Sequence, residues 1–367
     1  MSDYKVAIIG STGRGNYGHG LDVVWKSIPK CSVVAVADDN PQGLSEAIIR
    51  TTASRGYANY REMLDKERPD IVSISPRWTD QHHAMAMTCA EYSCHMYMEK
   101  PFCRTLGEAD EIINACEMRH IKLAVAHISR HSPQLGIVQK LIDGGEIGRV
   151  LEIRARGKED ARGGGEDLWV LGSHVLDLMR AFFGSPQSCF ATLLDGDKPV
   201  TRNSIRNGNE GLGPLGGSQV DAMYRFDKGI VGYFSSQRNA GSTPSRFGLR
   251  IFGTKGMIDF TSGYGNPAFL LNDPGWSAPN STAKWKTITT NGIEQPETIK
   301  ATGYDGGNPA AVNDLMESIE HDRNPRCSMY EARGAIEMIL AIFESHRVGK
   351  AIPMPLATSD NPLALLK

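Results

Sequence analysis

Two stretches decide the fold: Lys5-Val6-Ala7-Ile8-Ile9-Gly10-Ser11-Thr12-Gly13-Arg14-Gly15-Asn16-Tyr17-Gly18, and CSVVAVADD at residues 31–39. Val6–Ile9 is a short apolar run that reads as a buried strand. The glycines after it mark a turn, and Leu21 to Ser27 reads as a helix. Cys31–Ala37 is a second, β-branched strand that ends at Asp38-Asp39. The order strand, glycine turn, helix, strand, acid is the dinucleotide-binding arrangement. Its physics is simple: a pyrophosphate sits at a helix N-terminus, where free N–H groups and the dipole favour an anion. The backbone must approach closely, so side chains there must be small. With Gly10 as the first glycine and Gly15 as the third, Thr12 takes the second place and Gly13 stands beside it, a departure from G-x-G-x-x-G. Gly10, Thr12, Gly13, Arg14 and Gly15 are therefore candidate cofactor contacts. Asp38 stands where an acid holds the adenosine ribose hydroxyls and repels a 2′-phosphate. No Arg follows at once, so the reading favours NAD over NADP. The competing readings are an ordinary strand–helix turn and, for Asp38, a helix N-cap.

The alternation continues outward. Ile71–Ser75 is a strand closed by Pro76, Gln81–Tyr92 a helix, and His95–Met98 a strand running into Glu99-Lys100-Pro101. Leu106–Arg119 is helical and Lys122–Ala126 is the last strand of the series. Short buried strands alternating with helices give an α/β fold with a parallel sheet and right-handed crossovers. This domain spans residues 1–127. In residues 128–367, strands are read at Val150–Arg156, Cys189–Leu194, Val220–Phe226, Val231–Gln237, Leu249–Phe252 and Met257–Phe260, with a hairpin turn at Asp227-Lys228-Gly229. Helices are read at Ala310–Glu320 and Tyr330–Arg347, and residues 352–367 as an extended tail.

Composition excludes several classes. With 40 Lys and Arg against 42 Asp and Glu, the formal net charge is −2, unlike an electrostatic nucleic-acid binder. No apolar run approaches the roughly 18 residues of a membrane span. The N-terminal residues lack the basic segment and apolar stretch of a secretory signal, so a cytoplasmic location is expected. Seven cysteines without a C-x-x-C pair argue against a disulfide framework or a zinc site. His127-x-x-x-His131 has ligand-like spacing but straddles a strand end and a loop, so no metal is expected. Glycine is the outlier, 39 of 367 residues against a usual share of about 7%.

The sequence resembles the Gfo/Idh/MocA family of NAD(P)-dependent oxidoreductases over nearly its whole length. The resemblance is carried by VAIIGSTGRGNYGHG (residues 6–20), VVAVADDNP (33–41), SISPRWTDQHH (73–83), CHMYMEKPFCRTLGEAD (94–110), AVAHISRHSP (124–133), LIDGGEIGRV (141–150), GSHVLDL (172–178), LRIFGTKGMIDF (249–260) and ESHRVGKAIPMPL (344–356). It implies an N-terminal Rossmann domain and a C-terminal α/β domain with a large, open, mostly antiparallel sheet. A broad apolar face on that sheet would make a homodimer or homotetramer.

The resemblance also implies roles. Lys100 of the Glu-Lys-Pro signature hydrogen-bonds the reacting hydroxyl and helps relay its proton, while Glu99 orients it or contacts the cofactor. Ser75, Pro76 and His82 lie near the cofactor. His174 matches the histidine of Asp-x-Gly-x-His-x-x-Asp, and an ordinary imidazole pKa of about 6.5 suits a general base. Asp177 ends that pattern and supports the substrate site. The pattern's first Asp falls on Val170, and Glu166 or Asp167 are the carboxylates nearby that stand to replace it. His127 and Arg130 are candidate substrate contacts, and Trp169 is read equally as a stacking face for a sugar or as a core residue.

The reaction expected is oxidation of a secondary hydroxyl of a sugar, glycoside or cyclitol, with hydride passing to NAD. The absent carboxylate keeps open a glycosidase or lyase that uses NAD transiently. A non-catalytic NAD-binding sensor is the alternative from another class. Five glycines between Asn203 and Gly217 belong to a polar stretch that neither strand nor helix explains, read as a mobile loop.

Overall fold

Apolar runs of three to seven residues, bounded by turn residues, become the strands of a parallel sheet. The computed structural model describes residues 4–366, and the chain divides into two units. The first unit begins with β1 (Tyr4–Ile9), β2 (Cys31–Ala37), α1 (Pro41–Thr51), β3 (Arg55–Tyr57), α2 (Tyr60–Glu67), β4 (Ile71–Ile74), α3 (His82–Glu91), β5 (His95–Met98), α4 (Leu106–Glu117) and β6 (Leu123–Val125). The strand order is β3-β2-β1-β4-β5-β6 and every pairing is parallel. The order reverses between β1 and β4, the switch point beyond which such sheets bind ligands. Side chains set the helix starts: Asn40 accepts from Gly43 N, Asn59 from Arg61 N and Thr105 from Glu108 N.

One element departs from expectation. No α-helix stands between β1 and β2; Leu21–Ser27 yields only a 3-10 turn at Val24–Ser27. Gly13, Gly15, Gly18 and Gly20 take φ of +87°, +92°, +60° and +85°, which no right-handed helix accommodates. The residues before the turn are thus held as successive tight turns, and a pyrophosphate would find no long helix dipole here.

The second unit contains α5 (Pro133–Asp143), β7 (Val150–Arg156), the short turn α6 (Gly165–Asp167), a π-helical segment at Leu168–Gly172, and α7 (Ser173–Phe183). There follow β8 (Ser188–Asp195), β9 (Lys198–Pro199), β10 (Arg206–Asn207), β11 (Pro214–Leu215), β12 (Gln219–Arg225), β13 (Val231–Gln237), β14 (Gly248–Gly253), β15 (Met257–Thr261), β16 (Ala268–Leu271), β17 (Lys286–Thr289) and β18 (Gly292–Ile293). The chain ends with α8 (Gly303–Glu320), α9 (Met329–Val348) and β19 (Ile352–Pro353). The large sheet runs β18-β17-β16-β15-β14-β7-β13-β12-β8-β19, with β9 on β8. Every neighbouring pair is antiparallel except β7 with β13. The β12–β13 hairpin turns at Lys228 and Gly229, with φ of +58° and +75°.

The outer face of this sheet is mixed: exposed Phe190 and Tyr233 flank Met223 across β8, β12 and β13, and charged residues lie beside them. Tyr233, Arg154, Arg250 and Asp259 stand in register across β13, β7, β14 and β15. Arg250 pairs with Asp259 at 2.6 Å and Arg154 with Glu152 at 2.6 Å. The opposite face is closed by Val220, Tyr224 and Phe234, which alternation along the strands turns inward.

Two later segments belong with the first unit: residues 209–213 and 304–336. Ala311, Val312, Leu315 and Met316 of α8 join the apolar cluster of Val6, Ile8 and Trp25, which explains why α8 leaves the domain to which its sequence position assigns it. The glycine-rich stretch around residues 203–217 is a β10–β11 ladder, with Gly211 placed so close to Asp80 that a Cβ would meet its carboxyl at 2.7 Å.

Candidate active site

In the first unit, the glycine turn is tied to itself. Ser11 N donates to Asn16 O, Asn16 N donates to Ser11 O, and Gly13 N donates to Asn16 Oδ1. Thr12 reaches the end of β2, where Thr12 N lies 3.2 Å from both oxygens of Asp38 and Thr12 Oγ1 donates to Oδ2 at 2.7 Å. Arg14 is exposed, over the Trp78 ring and paired with Asp80. Gly15 presses on the backbone of Arg77 and Trp78, where a Cβ would come within 2.6 Å of both amide nitrogens. Asp38 is not the helix cap, which is Asn40.

The C-terminal ends of β4 and β5 form the second group. Ser75 and Pro76 are buried, and Ser75 N donates to Ile9 O. His82 is fully buried with Nδ1 2.8 Å from Pro101 O and Nε2 2.7 Å from Pro76 O. It therefore ties the two strand ends together, a role the sequence did not suggest. The Lys100–Pro101 bond is cis. Lys100 retains 5% of its surface. Beside it, Glu99 is buried with Oε1 2.8 Å from His19 Nδ1, and Oε2 has no hydrogen-bond partner among the described residues. His19 stacks on Tyr304 at 4.7 Å between ring centroids, and its carbonyl accepts from Asn308, which in turn takes the hydroxyl of Tyr97. His19, Tyr304 and Asn308 were missed in the sequence because no local pattern links residues so far apart. A buried acid next to a lysine, needing a partner, was the only available hint. His127 is buried at the end of the first unit's last strand, its carbonyl accepting from the Cys327 thiol.

In the second unit, α7 carries His174 with 7% of its surface exposed and Asp177 one turn later, fully buried. Arg130 Nε lies 2.8 Å from each oxygen of Asp177. The two residues expected to meet substrate thus meet each other. Trp169 has no exposed surface and its ring lies tilted against Phe343 at 6.4 Å, so it packs as a core residue and presents no face for stacking. Val170 is buried in the π-helical segment, in the place of the pattern's first carboxylate. Of the two nearby acids, Glu166 faces Arg206 at 3.6 Å, and Asp167 accepts from Ser236 Oγ at 2.5 Å and from Glu159 N. Burial pushes the Asp167 carboxyl above its ordinary range, against these two hydrogen bonds. Among the described residues no His, Cys, Asp and Glu cluster suits a metal ion.

The first unit suits a dinucleotide on three observations. A cleft at the ends of β1 and β2 is lined by Gly10, Ser11, Asp38, Asp39, Asn59 and Tyr60. Gly13 has open space on its Cβ side, so its backbone is accessible. Glu99 Oε2 is a buried acceptor awaiting a donor.

Comparison with known proteins identifies the family and the fold. Residues 4–127 match the model of an oxidoreductase family's NAD-binding Rossmann fold (GFO_IDH_MocA), and residues 139–356 match the C-terminal alpha/beta domain of the same family. The levoglucosan dehydrogenase of Pseudarthrobacter phenanthrenivorans is 27% identical over 285 residues, 69% of this chain and 73% of that protein. The D-xylose 1-dehydrogenase (NADP(+)) 2 of Haloferax volcanii is 22% identical over 309 residues, 81% and 84% of the two chains. A levoglucosan dehydrogenase solved in complex with NADH and levoglucosan shares the fold at a TM-score of 0.77 and 20% identity, covering 97% of this chain and 100% of that one. No helix among the described residues is long and apolar enough to cross a membrane.

Proposed function

We propose, from the premise that the chain belongs to the Gfo/Idh/MocA oxidoreductase family, that it oxidises a secondary hydroxyl of a sugar, glycoside or cyclitol with NAD as the hydride acceptor. The observation that carries this reading is Lys100, buried at the C-terminal end of β5 beside the Glu99 carboxylate, where open α/β sheets hold their ligands. Named relatives act on levoglucosan, xylose and myo-inositol, which supports a polyhydroxylated substrate. Bound dinucleotide would supply the acceptor for the hydride. Lys100 steadies the developing alkoxide through a charge-assisted hydrogen bond. His174 takes the hydroxyl proton as a neutral imidazole. Glu99 offsets the charge of Lys100, and the cleft at Gly10 and Asp39 receives the adenosine end. We further propose a homodimer or homotetramer as the working form.

Formation of NADH with a panel of hexoses, glycosides and inositols tests the reading. His174→Ala should lose about 10²–10⁴-fold in turnover, and Lys100→Ala should lose turnover as well. Unchanged turnover in both variants removes these residues from the reaction, and NAD binding without turnover of any polyol leaves a sensor. Val170 favours a second reading, since one acid of the expected set is an apolar residue here. In it, oxidation at one carbon acidifies the neighbouring C–H, elimination follows, and the hydride returns to the sugar. Aglycone release without net NADH supports that reading, whereas stoichiometric NADH excludes it.

A further inference from the structure

Asp38 stands where the ribose acid is expected, yet its carboxylate is already spent. It has only 2% of its surface exposed. Oδ1 accepts from Asn40 N at 3.0 Å, and Oδ2 accepts from Thr12 Oγ1 and Tyr17 OH, each at 2.7 Å. Thr12 N reaches both oxygens at 3.2 Å. A carboxylate offers about four lone-pair sites, so no capacity is left for a ribose diol.

The capping groups are built in. The Tyr17 ring lies over Gly10, where a Cβ would stand 2.1 Å from ring carbons. Thr12 lies against Gly43 of α1, where a Cβ would stand 2.0 Å from its hydroxyl oxygen. Two glycines thus make room for the two side chains that saturate Asp38. The Arg50 guanidinium stands over the Tyr17 ring at 4.6 Å, itself held by Asp22 at 2.7 Å. For Tyr17 to yield its place, a buried hydrogen bond to a charged group and this cation–π contact would both have to break.

The next residue differs. Asp39 is exposed where Asp38 is buried, and it lines the same cleft with Gly10, Ser11, Asn59 and Tyr60. We infer that Asp39, and not Asp38, receives the adenosine ribose hydroxyls and sets the preference between NAD and NADP, while Asp38 serves as an internal anchor for the glycine turn. The inference rests on the dinucleotide reading above. Charge decides the preference: a carboxylate pairs with a diol and repels a 2′-phosphate. Arg61, whose guanidinium lies 5.4 Å from the ring centroid of the cleft residue Tyr60, would serve a 2′-phosphate if Asp39 were neutral.

Equilibrium binding of NADH and NADPH to the full chain, followed by calorimetry alongside the thermal midpoint, provides the test. Wild-type protein should prefer NADH. Asp39→Ser should weaken NADH about tenfold or more, narrow the gap to NADPH, and leave the thermal midpoint unchanged. Asp38→Asn should lower the thermal midpoint, and Tyr17→Phe should not tighten NADH. An NADH affinity of Asp39→Ser within about twofold of wild type overturns the assignment, since a diol held by a charged acceptor is worth more than that. A severalfold gain in Tyr17→Phe overturns it in favour of Asp38, and so does a wild-type preference for NADPH. Wild-type protein that binds neither dinucleotide overturns the dinucleotide reading itself, and this assignment with it.

Discussion

His19 Nδ1 lies 2.8 Å from Glu99 Oε1, and this contact sets the charge of the acid beside Lys100. Burial alone would push Glu99 up. The hydrogen bond and charge of His19, then the charges of Lys100 and His82, outweigh it and hold the carboxyl below its usual 4.5. A depressed folded pKa adds stability that is present above pH 4.5 and is lost as pH falls through the lower folded value. His19→Gln should therefore move the acid limb of the stability profile to higher pH. Thermal midpoints measured across the acid range check this; an unmoved limb would show that His19 does not hold the charge.

Asp167 has the opposite sign. Its pKa is raised from 3.8, first by burial. Its contribution is fully present below 3.8 and is lost as pH rises through the folded value. Asp167→Asn can still accept from Ser236, so it should lose less stability than the wild type between about pH 4 and pH 7. Urea titrations at those two ends, compared between the proteins, decide the matter.

Arg130 and Asp177 form a buried pair with one partner fully enclosed. Arg130→Ala breaks this buried pair and should cost about 3–5 kcal/mol in denaturant unfolding. Arg130→Lys keeps the charge without the two-oxygen contact and should cost less. A loss below 1 kcal/mol in Arg130→Ala, about that of a surface pair, would contradict a structural role.

Gly10 and Tyr17 should behave as a coupled pair. Gly10→Ala places a Cβ 2.1 Å from the Tyr17 ring and should cost about 1–3 kcal/mol. The same substitution made in Tyr17→Ala should cost clearly less, because the clash has gone. A double-mutant cycle on unfolding free energies reads the coupling, and additive losses would place the clash elsewhere.

Much of the fold was legible because local signals agreed with tertiary structure. Val231–Gln237 matched its strand to the residue, and Lys228-Gly229 made the hairpin turn that its residues suggest. The helix expected at Leu21–Ser27 failed because positive-φ glycines outweighed the apolar spacing that followed them. The site was legible as segments and not as partners. Asp38 was found at its strand end, but that Tyr17 and Thr12 would occupy it follows from the space above Gly10 and Gly43, which no spacing rule reports. Arg130 and Asp177 were both singled out, yet their mutual neutralisation joins residues 47 positions apart. Trp169 was left between two readings, and its packing against Phe343 decides for the core.

Because residues 209–213 and 304–336 belong with the first unit, the chain is not divisible at a single joint. A fragment ending at Ile128 would lack Ala311, Val312 and Leu315, and would open the cluster around Trp25 to water. It would also strand the buried hydroxyl of Tyr97, whose acceptor is Asn308. Exchange of substrate units between relatives therefore has to preserve the joints near residues 128, 208, 213, 303 and 336 together. A chimera spliced only at the first joint inherits α8 from the wrong parent, and with it a foreign wall for its own nucleotide-binding core.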